Sequence, residues 1–294
     1  MLESFSDDKI QLPSGMSLRV RTAGSGPVVL LLHGYPQTHM CWHKVAPLLV
    51  EAGYHVVLSD LRGYGDSDKP PSDEHHLPYS KRAMATDQAE LMRHFGHETY
   101  YVAGHDRGAR VAHRLARDFP DAVAGVSFLD IVPTDHMYGR TEKVFATGYY
   151  HWFFLIQPAP FPERLIGHDP SYYLTSKLAG WSKGNVSAFE PEAIAEYTRC
   201  FNNASIHATC EDYRASATID LEHDALDLSV PLKMPVQVLW GQKGLVGNLY
   251  DVVDVWQSYA DNLVGEAMPC GHFLPEEAPQ QTADALVSFF GSSQ

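Results

Sequence analysis

The run Tyr101-Val102-Ala103-Gly104-His105-Asp106-Arg107-Gly108-Ala109-Arg110 constrains this chain more than any other stretch. It reads as strand, sharp turn and helix. Two glycines placed symmetrically about Asp106 let the turn close against neighbouring backbone and lift the aspartate above the strand end. An aspartate at a helix start also serves as an N-cap, but the paired glycines and the preceding strand favour a displayed carboxylate. Such a group is anionic at neutral pH, needs no base to activate it, and can displace a leaving group from carbon to form an ester.

Around this turn, short apolar runs alternate with helical stretches. Strands are expected at Met16 to Arg21, Val28 to Leu32, His55 to Ser59, Tyr100 to Ala103 and Val123 to Leu129. Helices are expected at Val45 to Ala52, Arg82 to Phe95 and Gly108 to Asp118. The alternation indicates an α/β architecture with a mostly parallel sheet flanked by helices. After Asp130 the text turns aromatic and proline-rich, then helical as in Pro191 to Phe201, until Val236 to Trp240 restores a buried strand. A last strand, Asn262 to Met268, and a closing helix, Ala278 to Phe290, follow. The expected division is a core of residues 1–130 and 231–294, with a helical cap at 131–230.

Arg107 and Arg110 are spaced i, i+3 in the first turn of the helix after Asp106. Cations there oppose the helix dipole by about 0.3–1 kcal/mol each when exposed, so something anionic should compensate them. A structural ion pair with Asp106 or a surface acid would do so. A bidentate clamp on a substrate carboxylate suits guanidinium geometry better.

The chain of 294 residues carries 36 acidic and 22 basic side chains, a formal charge of −14. That excess argues against nucleic acid or an anionic membrane surface as partner, and an anionic substrate needs local cations. The first eight residues lack the basic and apolar regions of a signal peptide, and no apolar run is long enough to span a bilayer, so a cytoplasmic location is expected. Cys41, Cys200, Cys210 and Cys270 show no Cys-x-x-Cys spacing and are expected as free, mostly buried thiols. The sixteen histidines form no metal-ligand spacing. Neither a metal nor a cofactor is expected.

Five separated pieces resemble the α/β-hydrolase superfamily, and within it the haloacetate (fluoroacetate) dehalogenases. They are Gly104 to Arg110, Leu129-Asp130-Ile131-Val132-Pro133-Thr134, Tyr150-His151-Trp152-Phe153-Phe154, Asp212-Tyr213-Arg214-Ala215 and Gly271-His272-Phe273. The resemblance implies an eight-stranded sheet and a homodimer. It makes Asp106 the nucleophile and His272, in the Gly-His loop after the last strand, the base. Asp130, at the end of its strand, becomes the acid that orients His272, because Gly241 to Gly247 after the next strand offers no carboxylate; Asp135 and Asp251 are fallback acids. Arg107 and Arg110 are implied to hold the substrate carboxylate, and His151, Trp152 and Tyr213 to cradle the halide, with Trp181 a further wall. The loop His33-Gly34-Tyr35-Pro36 places the Tyr35 N–H, with that of Arg107, as the oxyanion hole. Asp60-Leu61-Arg62-Gly63-Tyr64-Gly65-Asp66-Ser67 matches a structural loop of the superfamily.

The expected reaction is hydrolytic dehalogenation of a small 2-haloacid. An epoxide hydrolase shares the Asp/His machinery and cap tyrosines, and is the rival enzyme; Arg107 directly after the aspartate suits an acid substrate instead. A hydrolase-like receptor that binds a small acid without turnover is the non-catalytic rival. Two departures from the dehalogenase pattern, Ala109 between the arginines and Cys270 before Gly271, remove no functional group.

Overall fold

An unbroken apolar run such as Val28-Val29-Leu30-Leu31-Leu32 suits a strand covered on both faces. In a computed structural model, which describes residues 1–292, this run is β3 (Val28–Leu32), and all five residues are buried. It lies in a sheet with β1 (Asp8–Gln11), β2 (Ser17–Ala23), β4 (His55–Ser59), β5 (Tyr100–His105), β6 (Val123–Leu129), β7 (Val236–Gly241) and β8 (Leu263–Met268). The order is β1-β2-β4-β3-β5-β6-β7-β8. β1 pairs antiparallel with β2, and β2 with β4; every pairing from β4 to β8 is parallel.

The strands at 28–32, 55–59 and 123–129 have the limits expected from sequence; three of the other four expected strands shift by one or two residues at one end, and that expected at Met16 to Arg21 shifts at both. The strand the sequence concealed is β1. Its residues Asp-Lys-Ile-Gln are mostly exposed and are held by pairing with β2 alone, so they carry no apolar pattern.

The chain steps from β3 to β4 in one direction and from β4 past β3 to β5 in the other. Right-handed crossovers therefore put helix Val45–Glu51 on one face and helix Lys81–His94 on the other. Helix Arg107–Asp118 packs beside Lys81–His94, while the closing helix Pro279–Ser292 packs on Val45–Glu51. Between β6 and β7 the chain is helical, from Thr134–Gly139 to Ile219–Asp227. The four cysteines are free and buried. No described helix is long and apolar enough to cross a membrane.

Helix Leu274–Glu277 buries Glu276, whose carboxylate accepts from Tyr197 Oη at 2.5 Å and lies 3.8 Å from Lys44 Nζ. Burial pushes this carboxyl up to about 8, against the opposing pull of Tyr197 and Lys44. The folded chain thus keeps a proton that the unfolded chain releases near 4.5. Stability from this proton is fully present below that value and is lost as pH rises towards 8. Glu276→Gln should raise the melting temperature by several degrees more at pH 8 than at pH 5. Equal shifts at the two pH values in a thermal scan would count against it.

Candidate active site

The chain leaves β3 towards one edge of the sheet and β5 towards the other, so the loops after these strands diverge. Such a reversal opens a crevice at the carboxyl ends of the strands, where open α/β sheets hold their ligands. Tyr35 follows β3 and Asp106 follows β5 into this crevice.

The turn is built by close approach. A Cβ added at Gly104 would stand 2.5 Å from the Gly108 carbonyl oxygen, and one added at Gly108 would stand 2.4 Å from that of His33. Only glycine fits either position. Asp106 is held at φ 49° and ψ −115°, a conformation that costs about 1–3 kcal/mol for a residue with a side chain. It occupies the N-cap position of helix Arg107–Asp118 yet makes no side-chain cap bond. Instead its Oδ1 accepts the Tyr35 N–H at 2.9 Å, leaving Oδ2 towards His272. Burial opposes ionisation of Asp106, but His272, His105, Arg107 and the Tyr35 N–H outweigh it and hold the carboxyl below its ordinary range.

His272 Nε2 lies 3.8 Å from Asp106 Oδ2, and its Nδ1 donates to Asp130 Oδ2 at 2.5 Å. Asp130, at φ 54°, turns out of β6 so that its Oδ1 also accepts the Gly241 N–H at 2.8 Å. The His272 backbone is pinned too: its N–H donates to Trp181 O at 3.1 Å and its carbonyl lies 2.8 Å from His105 Nε2. Burial disfavours the imidazolium, yet the bond to Asp130 and the charges of Asp130 and Asp106 raise the His272 pKa above 6.5. The structure thus brings Asp106, Asp130 and His272 together. It places the fallback acids elsewhere, Asp135 against Tyr259 Oη at 2.8 Å and Asp251 as the N-cap of helix Val252–Trp256.

Arg107 is wholly buried, and the anion that compensates it is Asp212, from helix Asn203–Ala217, rather than Asp106 or a surface acid. Its Nε and one terminal nitrogen donate to the two Asp212 oxygens at 2.9 and 2.6 Å, and that terminal nitrogen also reaches Ser216 Oγ at 2.6 Å. The other, Nη1, has no protein partner. Asp212 is a hub, also ion-paired with Lys81 and accepting Tyr64 Oη at 2.6 Å. Arg110 donates to Thr134 Oγ1 at 2.8 Å and to Val132 O at 3.2 Å, while its Nε has no protein partner. Burial and the charge of Arg107 lower its pKa. Each arginine therefore keeps one buried donor unused.

The helical segment supplies an aromatic wall. Arg107 stacks on the Tyr213 ring with its guanidinium carbon 4.1 Å from the centroid, and Arg110 stacks on Trp152 at 4.7 Å. His151 lies 5.5 Å from Tyr213 and 4.6 Å from Trp181 between ring centroids. Burial, then the charges of Lys177, His272 and both arginines, hold His151 well below 6.5, so it is neutral. Tyr213 Oη and His151 Nδ1 are buried without a protein partner. So is Tyr149 Oη, which sequence reasoning passed over although Tyr149 directly precedes the aromatic run Tyr150 to Phe154. Asp212 and Thr134 were likewise quoted only as neighbours of other residues, and nothing local marks them as partners of Arg107 and Arg110. Among the described residues, Asp66, Glu196 and Cys200 could together face a metal ion, but both carboxylates already pair with Arg19 and Arg199.

Comparison with known proteins agrees with this architecture. Residues 27–279 match the alpha/beta hydrolase fold family. A fluoroacetate dehalogenase from Burkholderia sp is 42% identical over 295 aligned positions, covering 100% of this chain and 96% of its own. A soluble epoxide hydrolase from Corynebacterium sp. (strain C12) is 36% identical over 94% of each. The crystal structure of ALR0039 from Nostoc sp PCC 7120 superposes with a TM-score of 0.97 at 55% identity, covering 99% of both chains. The chain therefore belongs to the α/β-hydrolase family and is a hydrolase homologous to fluoroacetate dehalogenase.

Proposed function

We propose that the chain hydrolyses haloacetate to glycolate and halide through an ester on Asp106. The observation that carries this reading is the pair of buried guanidinium groups beside Asp106, each with one donor that no protein atom satisfies. Unpartnered buried donors are costly, so a ligand carboxylate bridging Arg107 Nη1 and Arg110 Nε accounts for both. Residues 131–230 act in this reading as a cap whose aromatic donors meet the halide.

Asp106 Oδ2 attacks the halogen-bearing carbon in line, and the C–X electron pair leaves with the halide. Fluoride is small and strongly hydrated, so its departure needs donors converging in a dry pocket; His151, Trp152 and Tyr213 supply imidazole, indole N–H and phenol O–H. Esterification then removes the charge of Asp106, one of the groups that raise the His272 pKa, and makes His272 a readier base. His272 takes a proton from water as the hydroxide adds to Asp106 Cγ. The N–H groups of Tyr35 and Arg107 receive the oxyanion. Collapse expels glycolate, which takes the proton from His272. In single turnover in ¹⁸O-water the glycolate carries unlabelled oxygen and the label stays on Asp106.

The alternative is epoxide hydrolysis, favoured by the Corynebacterium relative and by the unpartnered hydroxyls of Tyr149 and Tyr213. Ion chromatography of halide from fluoro-, chloro- and bromoacetate, beside a diol assay with styrene oxide, decides between them. Halide with equimolar glycolate and no diol is expected. Diol without halide would replace the reading, and saturable haloacetate binding without either product would make the chain a receptor.

A further inference from the structure

A cavity of about 340 Å³ reaches His272 from the side, lined by Thr147, Tyr149, Tyr150, Lys177, Trp181 and others. Lys177, on helix Pro170–Trp181, is 6% exposed, and its Nζ makes one hydrogen bond, to Tyr150 Oη at 2.6 Å. Its other neighbours are aromatic faces: the ring centroids of Tyr150, Tyr173 and Trp181 lie 3.8, 4.8 and 5.6 Å away. Among the described residues it forms no ion pair with a carboxylate, whereas the buried Lys81 has two. An ammonium carries three donors, and burying it without an anion is costly. Cation–π contact recovers only part of that cost.

We propose that Lys177 and this cavity form a vestibule that receives the carboxylate of the incoming substrate before it passes Trp181 to Arg107 and Arg110. The inference rests on the reading that the substrate is a small anion. It resolves a difficulty the charge of −14 creates: the overall field of the protein repels a haloacid, so a cation on the access route must raise its local concentration. Trp181 links the two spaces, since it lines the cavity and packs against both His151 and His272. Burial lowers Lys177 to about 8, so it is charged at neutral pH and loses its charge just above it. The groups facing it or sharing the cavity are Tyr149, Tyr150, Tyr173, Lys183, His151 and His272; none is an acid that would hold the ammonium charged at higher pH.

The test is steady-state chloroacetate turnover by Lys177→Met and Lys177→Arg enzymes. Expected for Lys177→Met is a roughly tenfold loss of kcat/KM at low ionic strength, carried by KM with kcat within about twofold. The parent enzyme should lose kcat/KM as salt rises and as pH rises through about 8; Lys177→Met should show neither fall, and Lys177→Arg should keep the salt response without the fall near pH 8. An unchanged kcat/KM in Lys177→Met, an unchanged salt response, or a fall in kcat that Lys177→Arg does not rescue would overturn the proposal. If the parent enzyme releases no halide, the reaction assigned above is at fault. Calorimetric titration with glycolate then judges the vestibule alone: weaker binding to Lys177→Met but not to Lys177→Arg sustains it, and equal binding to all three overturns it.

Discussion

His272→Asn enzyme given chloroacetate should release one halide per chain and then stop, with a carboxymethyl ester left on Asp106. The first step needs no base, because Asp106 is held ionised below its ordinary range and its Oδ2 is the oxygen not bound by the Tyr35 N–H. The second step does. Water is a poor nucleophile until a base takes its proton, and general-base assistance of this kind contributes about 10²–10⁴-fold. Asparagine keeps approximate size and polarity but cannot accept that proton, so steady-state turnover should fall by at least about 10²-fold while the halide burst survives. Intact-mass and peptide mass spectrometry would locate the adduct. A burst without an adduct on Asp106, or equal slowing of both phases, would point to direct attack by water on carbon.

Removing the charge of Asp212 should damage binding and stability together. In Asp212→Asn, Arg107 and Lys81 lose their shared counter-ion in a fully buried site. Taking away one partner of such a pair costs about 3–5 kcal/mol. The functional effect is separate: the bidentate bond aims the guanidinium so that Nη1 alone is left over, and misplacement by an ångström costs about 10²-fold. The expected result is a KM for haloacetate raised by about two orders of magnitude, measured well below the lowered melting temperature. A lower melting temperature with unchanged kcat/KM would make Asp212 a structural residue only.

What could be read from sequence was whatever the backbone encodes locally. The glycines at 104 and 108 announce a tight turn because no side chain fits there, and the apolar runs of β3, β4 and β6 give their own limits. Asp130 could be ranked above Asp135 and Asp251 from its place at a strand end, and it is the one that reaches His272. What stayed hidden depends on contacts distant along the chain. Arg107 and Asp212 are 105 residues apart, and Arg110 and Thr134 are 24 apart. Periodicity reports which face of a helix is buried, never which buried acid meets which buried arginine. β1 was missed for the opposite reason, since an exposed edge strand obeys its partner rather than its own composition.

The Arg107–Asp212 bond also ties the turn that carries the nucleophile to the helical segment over it. Lifting that segment away from the sheet would pull a guanidinium from its carboxylate in a dry interior, at a cost of about 3–5 kcal/mol. In the proposed reaction, acid, halide and glycolate would then pass by way of the cavity at Trp181 and wait on the swing of that ring. Side-chain motions of that kind run far faster than domain closure, and the charge of Lys177 beside that ring would add selection for anions to selection by width.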